Sequence, residues 1–198
     1  MKSANKRKST SPTRTRCWWG GDDPIYVKYH DSEWGRPLKD DRKLFEMLLL
    51  AGFQAGLSWI TSLKKRDNFR KAFKSFDPQK IAKMNAADVR RLMKDEGIVR
   101  NRLKIEGAIK NAKAYLEIKK EFGSFSRYLW QFTGGKTLRR KSRPKKGQIQ
   151  ATSPESDAMS KALKKRGFTF VGSTICYAHM QATGMVDDHV AECFLAKR

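Results

Sequence analysis

Four side chains of the metal-ligating type bracket nearly all of this chain's apolar sequence: Cys17 and His30 near its start, His189 and Cys193 near its end. A closure that joins the two ends of a domain restricts topology more than any local pattern does. His189 and Cys193 are spaced H-x3-C, which on a helix puts both on one face about one turn apart. Cys17 and His30 form a looser C-x12-H pair. Two Cys and two His suit a closed tetrahedral Zn2+ site, the structural rather than the catalytic kind. The same spacing also fits two ordinary helix residues and two unrelated ones upstream, because motif matches of this type are permissive.

The 198 residues are 39% hydrophobic, with 14 glycines besides, enough for one domain with a substantial core. No apolar run approaches the roughly 20 residues that cross a bilayer. The opening MKSANKRKSTSPTRTR is charged but has no apolar core, so it does not read as a secretory leader. Three cysteines are an odd number without close pairing and imply no disulfide framework. The expected location is a reducing cytoplasm.

Charge is the second constraint. Lys and Arg total 43 against 20 Asp and Glu, a formal +23, which predicts association with a polyanion. Nucleic acid leads, and on charge alone a ribosomal partner is also open. No long stretch sets a basic face against an aromatic one, so no membrane partner is expected. Residues 1 to 16 carry Lys2, Lys6, Arg7, Lys8, Arg14 and Arg16, no acid, and mostly Ser, Thr and Pro otherwise. Residues 1–15 therefore read as a disordered basic arm and 16–198 as a single helical domain. The arm either adds sequence-blind affinity for phosphates or merely solubilises. A second basic stretch, Lys136 to Lys146, contains Pro144 and reads as an exposed loop.

The rest is helical, and the fold class is all-α. Residues 42–51 are apolar almost all round, the mark of a buried helix, with Gly52 expected to close it. Asp77-Pro78 sets a capping residue before Pro at a first helical position. Asn85 with Asp88 resembles a capping box. Over 101–122 Leu103, Ile105, Ile109, Ala112, Tyr115, Leu116 and Ile118 form an apolar face at three and four spacing. Ser153-Pro154 starts a helix ending near Gly167, and a last helical run precedes Gly184. No period-2 strands stand out. Leu92 to Ile105 joins two helices through a tight turn at Gly97. Such a turn aims backbone N–H groups at a DNA phosphate, with Arg100, Arg102 and Lys104 adding charge. A plain helix connection fits as well, since a helix-hairpin-helix usually has a second Gly where this chain has Val99.

Aromatics concentrate between Cys17 and Trp59: Trp18, Trp19, Trp34 and Trp59, with Tyr26 and Tyr29. Individually they suit a core. Collectively, beside so much positive charge, they suggest a pocket that stacks on a nucleobase. Gln54-Ala55-Gly56-Leu57 combines a polar amide, small residues and an apolar wedge. It fits either a close approach to DNA at an extruded base or a tight helix junction.

With DPIYVKYHDSEWG (23–35), LFEMLLLAGFQAGLSWITSLKKR (44–66), GIVRNRLKIEGAIKNA (97–112), SKALKKRGFTFVGSTICY (160–177) and DDHVAEC (187–193) in view, the chain resembles the 3-methyladenine DNA glycosylase I (Tag) family of alkylation-repair enzymes from about Arg16 to Cys193. The resemblance implies an all-α helix-hairpin-helix DNA glycosylase-like domain. In it a structural zinc, held by Cys17, His30, His189 and Cys193, clasps the terminal segments together. Cys176 is then an ordinary buried thiol and His179 a peripheral histidine. The family's base pocket implies Tyr29 and Trp59 as stacking walls with Trp19, Tyr26 and Trp34 nearby, and Gln54 and Leu57 at the DNA gap. Double-stranded DNA with alkylated bases is the implied partner, and a monomeric, nucleoid-associated enzyme is expected.

One residue departs from the pattern. Where the family carries a Glu that recognises the methylated base, this chain has Ala51. Loss of such a charge-assisted contact is worth about 1.5–3 kcal/mol. Glu46, five residues earlier, lies about 140° round the helix and is no ready replacement. The expected function is monofunctional excision of N3-methyladenine or a related alkylated purine after base flipping, with no catalytic acid, base or Schiff-base lysine assigned. The alternatives are a non-catalytic lesion binder and a glycosylase whose preference Ala51 has shifted.

Overall fold

The computed structural model describes residues 14–139 and 142–196. The expected basic arm thus falls almost wholly outside the described residues, as do Arg140 and Lys141 of the second basic stretch. Ten α-helices run in order along the described residues: α1 (Pro24–Ser32), α2 (Asp41–Gln54), α3 (Trp59–Lys64), α4 (Arg66–Ala72), α5 (Pro78–Ala82), α6 (Ala86–Leu92), α7 (Arg102–Phe122), α8 (Phe125–Trp130), α9 (Pro154–Lys165) and α10 (Ser173–Ala182). Among the described residues no helix is long and apolar enough to cross a membrane.

α2 is the axis of the domain. Asp40 caps it by accepting the Lys43 N–H at 2.8 Å, and every residue from Leu44 to Phe53 is buried. Its neighbours are α3, α7, α8 and α10. Gly52 does not end this helix, which runs on to Gln54. It makes room instead, since a Cβ there would stand 3.3 Å from Phe170 Cβ. Gly107 of α7 serves the same loop from the other side, where a Cβ would meet the Phe170 ring at 3.0 Å. Glycine inside both helices thus reflects a close approach rather than a stop signal.

Local capping follows the sequence elsewhere. The Asp77 carboxylate accepts from Gln79 N–H at 3.0 Å, and the Asn85–Asp88 box on α6 is complete. Asn101 caps α7, which ends at Gly123 with φ +76°. Ser153 and Ser156 form a box at the start of α9. Leu103 is 68% exposed at the first turn of α7, so it does not belong to the apolar face expected of it.

Two expectations fail at the C-terminal end. Leu138–Arg139 (β1) pairs in parallel with Val186–Asp187 (β2), a pair too short to leave a period-2 signature. Part of the basic stretch is therefore anchored rather than a free loop. The Arg143 guanidinium lies 2.7 Å from Asp187 Oδ1 and donates to Ala196 O at 2.8 Å. His189 and Cys193 do not share a helix face either. They sit in irregular chain after β2, where the Asp187 carboxylate accepts the His189 N–H at 3.3 Å and Cys193 N–H closes a turn onto Val190 O.

A large core fills the space around α2, and a smaller one joins the two ends of the chain through Cys17, Tyr29, Trp34, Met47, Leu63, Val190, Cys193 and Leu195. Phe194 N–H donates to Thr15 O at 2.9 Å across the same seam. His179 is 1% exposed, not peripheral, and neither ring nitrogen has a partner among the described residues. Cys176 is fully buried, its thiol donates to Val171 O at 3.4 Å, and burial pushes its pKa up to about 12.

Candidate functional site

The clasp comes first, because it fixes the segment that carries the aromatics. The donor atoms of Cys17, His30 and Cys193 lie within 4.8 Å of one another and all three residues are buried. His30 Nε2 is 3.5 Å from Cys193 Sγ, and the His189 ring centroid stands 5.4 Å from that of His30. His189 Nε2 is buried without a partner among the described residues.

Each histidine is oriented by a carboxylate at its other nitrogen: His30 Nδ1 to Asp31 at 2.8 Å and His189 Nδ1 to Asp187 at 2.9 Å. Carboxylates so placed hold the tautomer that leaves Nε2 free to bind a metal. Arg16 grips Asp31 at 2.8 Å and Arg143 grips Asp187, so both carboxylates are themselves held in place. The Cys193 thiol is lowered to about 4, chiefly by the hydrogen bond from Cys17 and against the effect of burial, while Cys17 is pushed up by the same contact and by burial. Of the two thiols, Cys193 is thus the one pushed towards the thiolate, the form that ligates a metal. Among the described residues the structure brings together three donors, Cys17, His30 and Cys193, which suit a soft metal in type; it does not place His189 in that group, although its buried Nε2 has no partner among the described residues.

Beside this cluster opens a cavity of about 310 Å³, at the lower end of small-ligand sites, roughly 300–1,000 Å³. Trp19, Tyr26, Tyr29, Trp34, Ala51 and Trp59, singled out from the sequence, all line it, and so does Gln54. Tyr29 and Trp59 have ring centroids 5.4 Å apart, Trp19 and Trp34 4.8 Å, and Trp19 and Tyr26 5.2 Å. Burial raises the pKa of Tyr29 and of Tyr26, so both phenols stay neutral. Among the described residues no lining residue carries a charged side chain. The indole N–H groups of Trp19 and Trp59 are buried without an acceptor among the described residues.

Sequence reasoning missed Met47, Ile149, Ala178, Gln181 and Ala182, which also line the cavity. Met47 was within reach, being one turn before Ala51 on α2. The α10 residues were not, because only packing of α10 against α2 brings them there. Glu46 faces elsewhere: it is 6% exposed, its carboxylate held by Arg66 at 2.7 Å and Arg70 at 2.8 Å.

The expected DNA-contacting residues separate. Leu57 is 47% exposed in the loop after α2, where Gly56 adopts φ +80°. Arg100 and Arg102 are exposed, 3.5 Å from Glu96 and Glu106 respectively. Gly97 N–H is engaged by Asp95 Oδ1 at 2.8 Å within its own turn. Lys104 does not reach the surface charge expected of it. It is 9% exposed, and its ammonium donates to Phe53 O at 2.9 Å and Ala55 O at 2.5 Å, closing the C-terminal end of α2.

Known proteins share this sequence and fold. The sequence profile described as Methyladenine glycosylase matches residues 18–196. The DNA-3-methyladenine glycosylase of Haemophilus influenzae is 51% identical over 179 residues, which span 90% of this chain and 96% of that protein. A crystal structure of 3-methyladenine DNA glycosylase I superposes with a TM-score of 0.88 at 51% identity, covering 91% of this chain and 98% of the other. A variant of 3-methyladenine DNA glycosylase I crystallised with 3-methyladenine bound gives 0.87 at 37% identity, covering 90% and 96%. With the family profile matched over residues 18–196 and half of the residues identical to a named relative over nine-tenths of the chain, this chain belongs to the methyladenine glycosylase family.

Proposed function

We infer that this chain is a monofunctional DNA glycosylase of base-excision repair, hydrolysing the N-glycosidic bond of N3-methyladenine or a related alkylated purine. The observation that carries the reading is the uncharged aromatic cavity, in a chain half identical to a named glycosylase along nine-tenths of its length. That identity favours catalysis over a non-catalytic or altered-specificity lesion binder.

The lesion is extruded from the duplex before reaction. Tyr29 and Trp59, in contact with each other, present stacking faces to it, with Trp19, Tyr26 and Trp34 completing the wall. Aromatic faces attract a cationic base, about 2 kcal/mol or more where water is excluded. The two unpartnered indole N–H groups suit the acceptor nitrogens of a purine ring. A base already positive at the start leaves as a neutral molecule, so the cavity need supply no proton to it. Water completes hydrolysis at the sugar carbon. This accords with a lining that holds no Asp, Glu or His, and we assign no catalytic acid or base.

Duplex DNA is the proposed partner. Leu57 enters the gap left by the base beside Gln54, and Gly97, Arg100 and Arg102 lie along the phosphates. Lys104 acts from behind by holding the end of α2. Cys17, His30, His189 and Cys193 hold a structural Zn2+. A site closed by four protein ligands supplies rigidity and no open coordination position. The protein works as a monomer in the cytoplasm, at the nucleoid, with residues 16–198 as a single domain and 1–15 as an accessory arm.

The test is the product. Methylated duplex DNA incubated with the protein should yield free 3-methyladenine, identified by mass, and an uncut strand bearing abasic sites. Strand cleavage without added base or lyase would remove the monofunctional assignment.

A further inference from the structure

The cavity holds one polar side chain whose orientation is fixed from behind. Gln181, on α10, lines it one turn beyond Ala178. Its Nε2 donates to Asp188 Oδ2 at 2.8 Å, and the same oxygen accepts the Tyr177 hydroxyl at 2.7 Å. This carboxylate oxygen accepts from both neighbours, so it takes the NH2 end of the amide and leaves the amide oxygen to face elsewhere. That oxygen accepts no hydrogen bond from a described residue, and it is not among the buried polar atoms shut off from solvent. Gln54, the other amide on the lining, ends α2 without such an anchor. With a methyl group at Ala51, and of the two side-chain amides on the described lining, Gln181 is the one held in place, and its Oε1 is left with no donor among the described residues.

We propose that Gln181 is the specificity-determining residue of this cavity: its amide oxygen, held by Asp188, accepts a hydrogen bond from the exocyclic amine of a 6-aminopurine and so selects N3-alkylated adenine over a 6-oxopurine such as N3-alkylated guanine. The inference rests on the glycosylase reading above and deepens it. An amine at the 6-position offers the hydrogen that this oxygen needs. A 6-oxo group would set two lone-pair oxygens against each other and leave both unsatisfied. Sites built to hydrogen-bond a substrate group discriminate in this way more strongly than apolar shape alone. Asp188 and Tyr177 touch no substrate and are positioning residues: they keep the amide from flipping.

The test is a tryptophan-fluorescence titration of the full chain with free 3-methyladenine and free 3-methylguanine, for the wild type and Gln181→Met, run beside release of both bases from methylated DNA. The wild type should prefer 3-methyladenine. Gln181→Met keeps the side chain's length and removes its polar atoms, so 3-methyladenine should bind about tenfold more weakly, with 3-methylguanine little changed. Should Gln181→Met fold poorly, Gln181→Asn retracts the amide by one carbon and should lose the same preference. Equal losses for both bases with a lowered thermal transition would reduce Gln181 to a structural role and overturn the proposal, as would an unchanged preference. Preferential binding without release from DNA would reject the glycosylase reading and leave the assignment of Gln181 standing. Release with the preference intact in Gln181→Met would do the reverse; a wild type that binds neither free base overturns the assignment of Gln181, and rejects the glycosylase reading as well only where it also releases neither base from DNA.

Discussion

At Ala51 the cavity wall carries a methyl group where the resemblance to the family implies a carboxylate, and no described residue of the lining restores the charge. Glu46 is buried under Arg66 and Arg70, on another side of α2. Recognition then rests on π faces, indole N–H groups and amides. Ala51→Glu is expected to raise N3-methyladenine excision about tenfold, from a charge-assisted contact made in a dry site. An unchanged single-turnover rate would put the base beyond reach of position 51. Trp59→Ala removes a stacking face worth about 1–3 kcal/mol per base, so 3-methyladenine affinity should drop by tenfold or more in a fluorescence titration. Away from the cavity, His179 supplies a pH dependence. Burial pushes its pKa down to about 3, below the 6.5 of an unfolded histidine. Between those values the unfolded chain binds a proton that the folded chain refuses. Stability present above pH 6.5 is therefore lost on acidification, by up to about 1.4 kcal/mol per pH unit. Urea unfolding of His179→Leu should show a flatter acid limb than the wild type, and identical limbs would remove His179 as the cause.

The elements were legible where a signal is local. Asp77-Pro78, Asn85–Asp88, Ser153 and the three and four spacing of α7 each describe contacts within one helix, and each helix formed there. The sequence misled where a distant segment decides the outcome. Gly52 resembles a stop signal, yet it answers to Phe170, more than a hundred residues on. The H-x3-C spacing reads as helical, yet Asp187 draws His189 into irregular chain. Lys104 reads as a surface cation in a run of basic residues, yet it neutralises the carbonyls that end α2. Lys104→Met keeps the stem and leaves those carbonyls unpaired. It should cost about 1–3 kcal/mol of stability, seen as a lower urea midpoint, and should loosen the Gln54–Leu57 loop. A variant as stable as the wild type would show that water replaces the ammonium without loss.

Across the whole molecule, the ends of the domain and the cavity form one unit. Trp19 and Trp34 contact the cavity and pack edge-on against His30 and His189 respectively, so the aromatic wall leans on the clasp. The aromatic residues were legible as a group because they crowd one stretch of sequence. The α10 wall was not, since packing alone delivers it. Purified protein should contain near-stoichiometric zinc, and chelation should lower the thermal transition by on the order of 10 °C or more for a domain of this size. A metal-free protein with an unchanged transition would remove the zinc from the account. The central claim is that an aromatic cavity with no carboxylate still removes N3-methyladenine. It is tested most directly by the single-turnover rate of 3-methyladenine release from methylated duplex DNA at neutral pH. The account predicts first-order release far faster than spontaneous loss in buffer, and strongly slowed in Trp59→Ala. Release at the spontaneous rate by folded, zinc-loaded protein would contradict it.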